Sequence, residues 1–374
     1  MLIPTLHWFV PFAILFIVAL VSSLITVPLA SRIAWRVGAI DRPSKRRINT
    51  VPIPRMGGIA VFIGISVAAV AYKIVTEFLG WTRVFKPLPE MQIDYFFVAS
   101  GAAMVFATGV VDDVKSLRPT QKLMGQILAA ILAASGGLVI GNIVNPFGGG
   151  EIDLGWLSYP ITVVYMVAFM NIINLIDGLD GLAGGITVIS CLTMFGLSVM
   201  SGRLDAAMTA IVTAGAVLGF LKYNFHPAKI FLGDSGSLLL GFMLAAISLM
   251  NVTRVAGLTT MLIPLVIALV PITDTLAAII RREREHVSIM SPDKGHIHHR
   301  LLQDGFDQRT AVIFIYLWTM LLCLGAVIMT QVGMYKRIVV FAVLFIASFL
   351  VARKLGLFTP VLKHRDKSED DEHD

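Results

Sequence analysis

Carboxylate and amide side chains recur where apolar stretches of this sequence end. They fall in three segments, Asp112-Asp113, residues 171–180 and residues 231–237. The middle segment contains Asn171, Asn174, Asp177 and Asp180. Mg²⁺ prefers such oxygen ligands, and two adjacent carboxylates repel each other unless a cation neutralises them. Glycine and serine before an apolar run also expose backbone N–H groups that suit a phosphate. The three segments therefore predict a site for a metal-bound phosphate.

Each segment also has a simpler interpretation. Asp112-Asp113 is equally well explained as the acidic end of a helix. For residues 171–185 a glycine-rich packing turn is the less favoured alternative. Asp234 is a candidate helix N-cap, although Ser235 or Ser237 could cap that helix instead. We favour the chemical interpretation because amides and carboxylates are costly to bury in an apolar bundle.

A second group of candidates is basic or aromatic. His296, His298, His299 and Arg300 follow one another closely in residues 295–300. Because no cysteine accompanies them, phosphate contact or proton transfer is favoured over zinc binding, and a solvated surface loop is the alternative. Phe231 is a candidate for stacking on a base, with core or lipid packing as the alternative.

The stretch 41–58 is rich in arginine and lysine and ends with Pro54-Arg55-Met56-Gly57-Gly58. It fits a contact to a lipid phosphate or a nucleotide. Anchoring to the membrane surface by positive charge explains it equally well.

The composition indicates an integral membrane protein. Of 374 residues, 56% are hydrophobic and 14% are charged, whereas soluble domains carry about 25% charged residues. Repeated apolar runs are long enough to cross a bilayer as helices. We therefore predict an all-α, polytopic helix bundle, with a single catalytic domain at 1–360 and a charged, disordered tail at 361–374. Membrane topology explains the net charge of +6 better than a nucleic-acid partner does.

Eleven spans are predicted, at about 9–30, 57–78, 94–111, 123–141, 157–175, 182–201, 206–221, 236–252, 258–280, 310–331 and 336–357. The loops on one side of these spans hold 23 Lys and Arg residues, and those on the other side hold 6. The positive-inside rule then puts the N-terminus outside and the C-terminus in the cytoplasm. All the candidate residues fall on the cytoplasmic side.

Five stretches carry a resemblance to a known family. They are DRPSKRRINTVPIPRMGG (41–58), DDVKSLRPTQK (112–122), NIINLIDGLDGLAGG (171–185), NFHPAKIFLGDSGS (224–237) and HIHHRL (296–301). Together they cover most of the chain, and the sequence resembles the polyprenyl-phosphate N-acetylhexosamine-1-phosphate transferases. HIHHRL is similar to the bacterial branch that uses N-acetylglucosamine 1-phosphate and undecaprenyl phosphate. Some members of that branch have a third aspartate where this chain has Ser116.

The resemblance implies a role for each matching residue. Asp234, and in some branches Asn174, matches a Mg²⁺ ligand, with Mn²⁺ as an alternative ion. Lys122 matches a phosphate contact. The remaining matches are a nucleotide pocket at Asp180, Asn224 and Phe231, catalytic acids at Asp112, Asp113 and Asp177, and a loop over the sugar diphosphate at His298, His299 and Arg300. Asn171 and His296, in the same motifs, are also predicted to bind substrate.

The reaction expected from the resemblance is transfer of N-acetylglucosamine 1-phosphate from UDP-N-acetylglucosamine to undecaprenyl phosphate in the bacterial inner membrane. Direct attack by the lipid phosphate is favoured over a covalent aspartyl intermediate. Another UDP-N-acetylhexosamine or UDP-MurNAc-pentapeptide as donor stays open. A membrane transporter and a purely structural membrane protein are the alternatives of other classes. The resemblance also allows a homodimer, and membrane lipids are expected partners.

Overall fold

The computed structural model describes residues 9–43, 51–78, 93–144, 151–251, 258–287 and 295–359. Helices dominate this part of the chain. They are α1 (Val10–Val37), α2 (Gly58–Phe78), α3 (Tyr95–Lys115), α4 (Pro119–Ser135), α5 (Ser158–Ile176), α6 (Leu182–Met200), α7 (Leu204–Asn224), α8 (Gly233–Asn251), α9 (Leu258–Ile267), α10 (Leu269–Arg284), α11 (Ile297–Gln303), α12 (Gln308–Gln331) and α13 (Met334–Lys354). A 3-10 helix (Gly155–Leu157) precedes α5. There are also two short antiparallel pairs, β1 (Ile40–Asp41) with β2 (Ile53–Pro54) and β3 (Asn142–Val144) with β4 (Glu151–Asp153).

The predicted all-α membrane bundle is confirmed. Among the described residues, nine helices are long and apolar enough to cross a membrane. The predicted span 123–141 corresponds to α4, which has only 17 residues. The count of eleven spans and the orientation of the termini stay predictions, and the proposed tail at 361–374 lies outside the described residues.

The predicted span 258–280 is not one helix, because it divides into α9 and α10. Pro271 explains the break. A proline at this position cannot donate to the carbonyl oxygen of Ile267, and its ring would clash with that carbonyl in a continuous helix. In α10, Pro271 lies in the first turn, where no backbone donor is needed.

Helices α7 and α8 form the centre of the bundle. In their most apolar windows, 83% of α7 and 89% of α8 is buried inside the protein, compared with 6% of α13. Two glycines bring neighbouring helices close to the start of α8. A Cβ at Gly58 in α2 would overlap the backbone of Ser235 and Gly236, and one at Gly109 in α3 would overlap Ser235. The N-terminus of α8 is therefore held against the last turn of α3.

One end of the bundle collects the polar residues. Helices α3, α5 and α7 end there, and α4 and α8 begin there. The β1–β2 pair is joined to the same end, because Phe231 N–H donates to Pro54 O at 2.9 Å and Gly57 N–H donates to Phe231 O at 2.9 Å. Segments far apart in the sequence thus meet around one cavity.

Candidate active site

A cavity of ≈ 780 Å³ opens at this end of the bundle. The predicted site residues that line it are Asp113, Lys122, Asn174, Asp177, Asp180, Asn224, Phe231, Asp234, His298 and His299. They come from six separate segments of the chain, so the structure brings together most of what the motifs predicted. Asp112, Asn171, His296 and Arg300 do not line this cavity.

Asp234 is the centre of a hydrogen-bonded cluster at the cavity wall. Its Oδ1 forms an ion pair with Lys122 Nζ and accepts a hydrogen bond from Asn174 Nδ2 at 2.6 Å. Lys122 Nζ also donates to Asn174 Oδ1 at 3.2 Å and lies 3.0 Å from Asp112 Oδ2. Asp112 therefore contributes by holding Lys122, while its other oxygen accepts the backbone N–H of Leu117 at 2.7 Å.

Asp113 caps helix α8. Its carboxylate oxygens accept the backbone N–H groups of Asp234 at 2.8 Å and Ser235 at 3.0 Å. A carboxylate at a helix N-terminus is stabilised by the unpaired N–H groups and the helix dipole. This corrects two expectations from the sequence, because the cap is neither Ser235 nor Ser237, and these two N–H groups are not available to a phosphate.

The loops after α5 and α7 are tied together by Asp180 and Asn224. Asp180 Oδ2 accepts the backbone N–H of Ala228 at 3.0 Å and lies 2.8 Å from His226 Nδ1. Asn224 Oδ1 accepts the backbone N–H of Gly181 at 3.0 Å, and its Nδ2 donates to a backbone carbonyl six residues further on. These contacts fix the wall on which Phe231 also lies.

Asp177 is the acidic residue of the cavity that has no partner among the described residues. Burial raises the pKa of the Asp177 carboxyl to about 8, and the negative charges of Asp234, Asp113 and Asp180 act in the same direction. A cation in the cavity would reverse this effect, because it would stabilise the carboxylate form. Asp177 is therefore placed to respond to a metal ion.

The histidines of the HIHH motif separate into two groups. His298 is buried, lines the cavity and lies directly against Gly178, where an added Cβ would overlap its ring. Burial lowers the pKa of His298 to about 3, so its imidazole is neutral near pH 7. His296 instead pairs with Asp274 in α10, at 2.9 Å between Nδ1 and Oδ2, and Asp274 Oδ1 accepts the backbone N–H of Ile297 at 2.7 Å.

Arg300 and Asn171 also lie away from the cavity. Arg300 donates to the backbone carbonyl of Thr359, just after α13. Asn171 and Gln126 exchange two side-chain hydrogen bonds, at 2.8 and 3.2 Å, which join α5 to α4. The predicted contacts of these two residues with substrate are therefore not part of the described geometry.

Several residues of this end of the bundle were not among the predicted site residues, and Asp274 and Arg55 are two of them. Asp274 holds α11, and a carboxylate within the apolar stretch 258–280 is the signal that could have revealed it. Arg55 lines the cavity, but from the sequence its positive charge is equally well explained by anchoring to the membrane surface.

The oxygen ligands at the cavity suit Mg²⁺ better than zinc. Among the described residues there is no cluster of three or more His, Cys, Asp or Glu residues with metal-site geometry. Mg²⁺, however, commonly uses one or two carboxylates and completes its shell with phosphates and water. Asp234 and the Asn174 amide oxygen, with Asp177 on the same cavity, fit that requirement.

Comparisons with known proteins show the family to which the chain is similar. The family model of glycosyl transferase family 4 matches residues 95–252. A probable undecaprenyl-phosphate N-acetylglucosaminyl 1-phosphate transferase of Bacillus subtilis is 37% identical over 93% of both chains. A decaprenyl-phosphate N-acetylglucosaminephosphotransferase of Mycolicibacterium smegmatis is 36% identical over 85% of this chain and 82% of its own. An undecaprenyl-phosphate alpha-N-acetylglucosaminyl 1-phosphate transferase of Yersinia pestis is 30% identical over 86% and 85%.

The motifs, the membrane bundle and the similarity over nearly the whole chain lead to one conclusion. This protein belongs to glycosyl transferase family 4 and is a multi-pass membrane transferase.

Proposed function

We propose that the protein transfers N-acetylglucosamine 1-phosphate from UDP-N-acetylglucosamine to undecaprenyl phosphate. The products are undecaprenyl-diphospho-N-acetylglucosamine and UMP. The names of the relatives support the polyprenyl-phosphate acceptor and the sugar phosphate. The observation that carries the proposal is the cluster of Asp234, Lys122 and Asn174 on a ≈ 780 Å³ cavity, a volume that suits a sugar nucleotide.

The chain's own residues then have distinct tasks. Asp234 and Asn174, with Asp177, would hold Mg²⁺, which supplies a positive charge that stabilises the diphosphate and the leaving UMP. Lys122 is fixed beside them and offers an ammonium group to a phosphate oxygen. Asp180, Asn224 and Phe231 form the wall proposed for the nucleotide, and His298 contacts the donor as a neutral imidazole.

The chemistry is a direct displacement at phosphorus. An oxygen of the lipid phosphate attacks the β-phosphorus of the donor, and the bond from that phosphorus to the bridging oxygen breaks, so UMP leaves with the bridging oxygen. A phosphate monoester is largely dianionic near pH 7, so no strong base is required. Asp112 and Asp113 are engaged with Lys122 and with α8, which favours this route over a covalent aspartyl intermediate.

We further propose that the cavity faces the cytoplasm of a bacterial inner membrane and that the reaction starts a cell-surface polysaccharide. The distribution of Lys and Arg along the sequence supports this orientation. A homodimer stays a prediction from the family.

The test uses purified full-length protein in detergent with undecaprenyl phosphate and Mg²⁺. UMP release is followed separately with UDP-N-acetylglucosamine, UDP-N-acetylgalactosamine and UDP-MurNAc-pentapeptide. Lipid-dependent UMP from the first donor is the expected result. UMP from another donor alone would retain the mechanism and change the sugar, whereas no UMP from any donor would overturn the proposal and favour a transporter.

A further inference from the structure

Arg55 brings a positive charge to the cavity that no described acidic residue neutralises. Its Nη2 donates to the backbone carbonyl oxygen of Asp113 at 3.0 Å, and this is a neutral partner. Its Nε is buried and has no hydrogen-bond acceptor in the described part of the chain. The guanidinium group therefore has donors and a charge that the described residues do not satisfy.

The backbone around Arg55 is fixed relative to the cluster of Asp234. Phe231 N–H donates to Pro54 O, and Gly57 N–H donates to Phe231 O, both at 2.9 Å. These bonds flank Arg55 on both sides and end three residues before Asp234. A residue held in this way can present its side chain with little loss of backbone entropy on binding.

The charges of the residues that line the cavity indicate a role for Arg55. The carboxylates that line the described cavity are Asp41, Asp113, Asp177, Asp180 and Asp234. The charge of Lys122 is already offset by Asp234 and Asp112. An anionic substrate in a cavity lined by acidic residues needs positive charge beyond that of Lys122, and the proposed Mg²⁺ supplies part of it. Arginine supplies such charge at every accessible pH and binds phosphate oxygens with a planar pair of donors.

We propose, on the basis of the proposed function, that Arg55 binds a phosphate group of a substrate in the cavity. The phosphate comes either from the diphosphate of the sugar nucleotide or from the lipid phosphate, and both present the same chemistry to the guanidinium. A purely structural alternative is that Arg55 stabilises the C-terminal end of α3 by bonding the Asp113 carbonyl.

Two substitutions distinguish these roles. Arg55→Gln retains a side-chain N–H for the Asp113 carbonyl and removes the charge, whereas Arg55→Lys retains the charge and removes the planar pair of donors. We expect Arg55→Gln to raise the KM of one substrate by about 10- to 100-fold, as for loss of a charged hydrogen bond. Arg55→Lys is expected to show a smaller rise at the same substrate.

The measurement is steady-state UMP release, with the sugar nucleotide and the lipid phosphate varied separately. A higher KM for UDP-N-acetylglucosamine alone assigns Arg55 to the diphosphate, and a higher KM for undecaprenyl phosphate alone assigns it to the acceptor. Arg36→Gln is the matched control, because Arg36 is exposed in the last turn of α1, lies outside the stretch 41–58 and does not line the cavity. If the KM values of Arg55→Gln and Arg55→Lys for both substrates stay within about twofold of wild type, Arg55 does not bind substrate phosphate.

A binding measurement separates this inference from the proposed reaction. Magnesium pyrophosphate is added to the full-length protein, and the shift of its thermal midpoint is recorded. We expect a shift for wild type and Arg36→Gln, and a reduced or absent shift for Arg55→Gln. A wild type that releases no UMP would contradict the proposed function. Equal shifts of the thermal midpoint in all three proteins would contradict the assignment of Arg55.

Discussion

Two buried polar clusters lie at opposite ends of helices α3 and α7, and only one of them faces the cavity. At the start of both helices, Arg203 donates two hydrogen bonds to Asp205, at 2.7 and 3.1 Å, and Tyr95 OH donates to Asp205 at 2.9 Å. At the end of α3 and the start of α8, Lys122 pairs with Asp234. Each cluster contains a cation and a carboxylate. Arg203 and Asp205 both belong to the start of α7, whereas Lys122 lies in α4 and Asp234 in α8.

The exposure of the two ion pairs differs. The side chains of Arg203 and Asp205 are 5% and 8% exposed, whereas those of Lys122 and Asp234 are 18% and 25% exposed. A bidentate pair that is enclosed stabilises the packing of helices, while a pair at a cavity wall can exchange partners with a ligand. A buried charge in a membrane bundle is therefore a candidate site only when it also faces open space.

The largest effect is expected when the aspartate of each cluster is replaced by asparagine. Asp234→Asn should lower the rate of UMP release by roughly 10³-fold, because it removes a proposed metal ligand and the partner of Lys122. Its thermal midpoint should change little. UMP release and thermal unfolding, both in detergent, measure the two properties.

Asp205→Asn is the matched substitution at the other end. It removes the negative charge that accepts two hydrogen bonds from the buried Arg203, and we expect a loss of about 3 kcal/mol of stability. The folded fraction should keep KM and kcat within about twofold of wild type. The comparison fails if Asp205→Asn abolishes turnover at a temperature where the protein is folded.

The next largest effect is expected at the contact between Gly178 and His298. Gly178→Ala places a methyl group where the His298 ring lies, so the ring or the loop must move. A shift of this size should lower kcat by about 10²-fold. Gly196→Ala in α6 is the control, since a Cβ there meets nothing within 4 Å. Equal rates for the two variants would show that the position of His298 does not matter.

A smaller effect is expected from loosening α11. Asp274→Ala leaves His296 Nδ1 and the backbone N–H of Ile297 without their buried acceptor, so α11 should be held less firmly. We expect kcat to fall by about 10-fold, and Asp274→Asn to restore part of it. Asp304→Ala, exposed at the other end of α11, should leave the rate unchanged. No difference between these variants would separate α11 from the reaction.

The last prediction concerns stability alone, namely its dependence on pH through Asp177 in the absence of Mg²⁺. The folded protein holds a proton on Asp177 up to about pH 8, whereas an unfolded chain releases it near pH 4. The folded state therefore binds more protons between these values, and its stability falls as pH rises through them. Asp177→Asn should flatten this part of the profile. Thermal midpoints at pH 5, 6.5 and 8 with EDTA test this, and parallel profiles would contradict it.

The sequence predicted the membrane bundle and most of the cavity, because both depend on local features. Long apolar runs require helices, and polar residues at the ends of those runs meet if the helices alternate in direction. The break before Pro271 was not predicted, although its cause is local. The places of Asn171 and His296 could not be predicted, because they depend on which residues of α4 and α10 face them.

Asp113 also could not be assigned from its position alone. As part of an acidic pair it resembles a metal ligand, but the structure has both its oxygens on backbone N–H groups of α8. Only the close approach of α3 to α8 at Gly109 allows this contact. The motifs thus predicted which segments meet at the cavity better than they predicted the contacts of each residue.

The cap that Asp113 provides has a consequence for the order of synthesis. The N–H groups that it accepts lie 121 and 122 residues later in the chain. When α3 enters the membrane, its terminal carboxylate has no such partners, and it acquires them only after α8 has been made. A polypeptide that stops after α7 would therefore carry an unsatisfied acidic end instead of half an active site. From α3 to α8, the bundle must be completed as one unit before it can act.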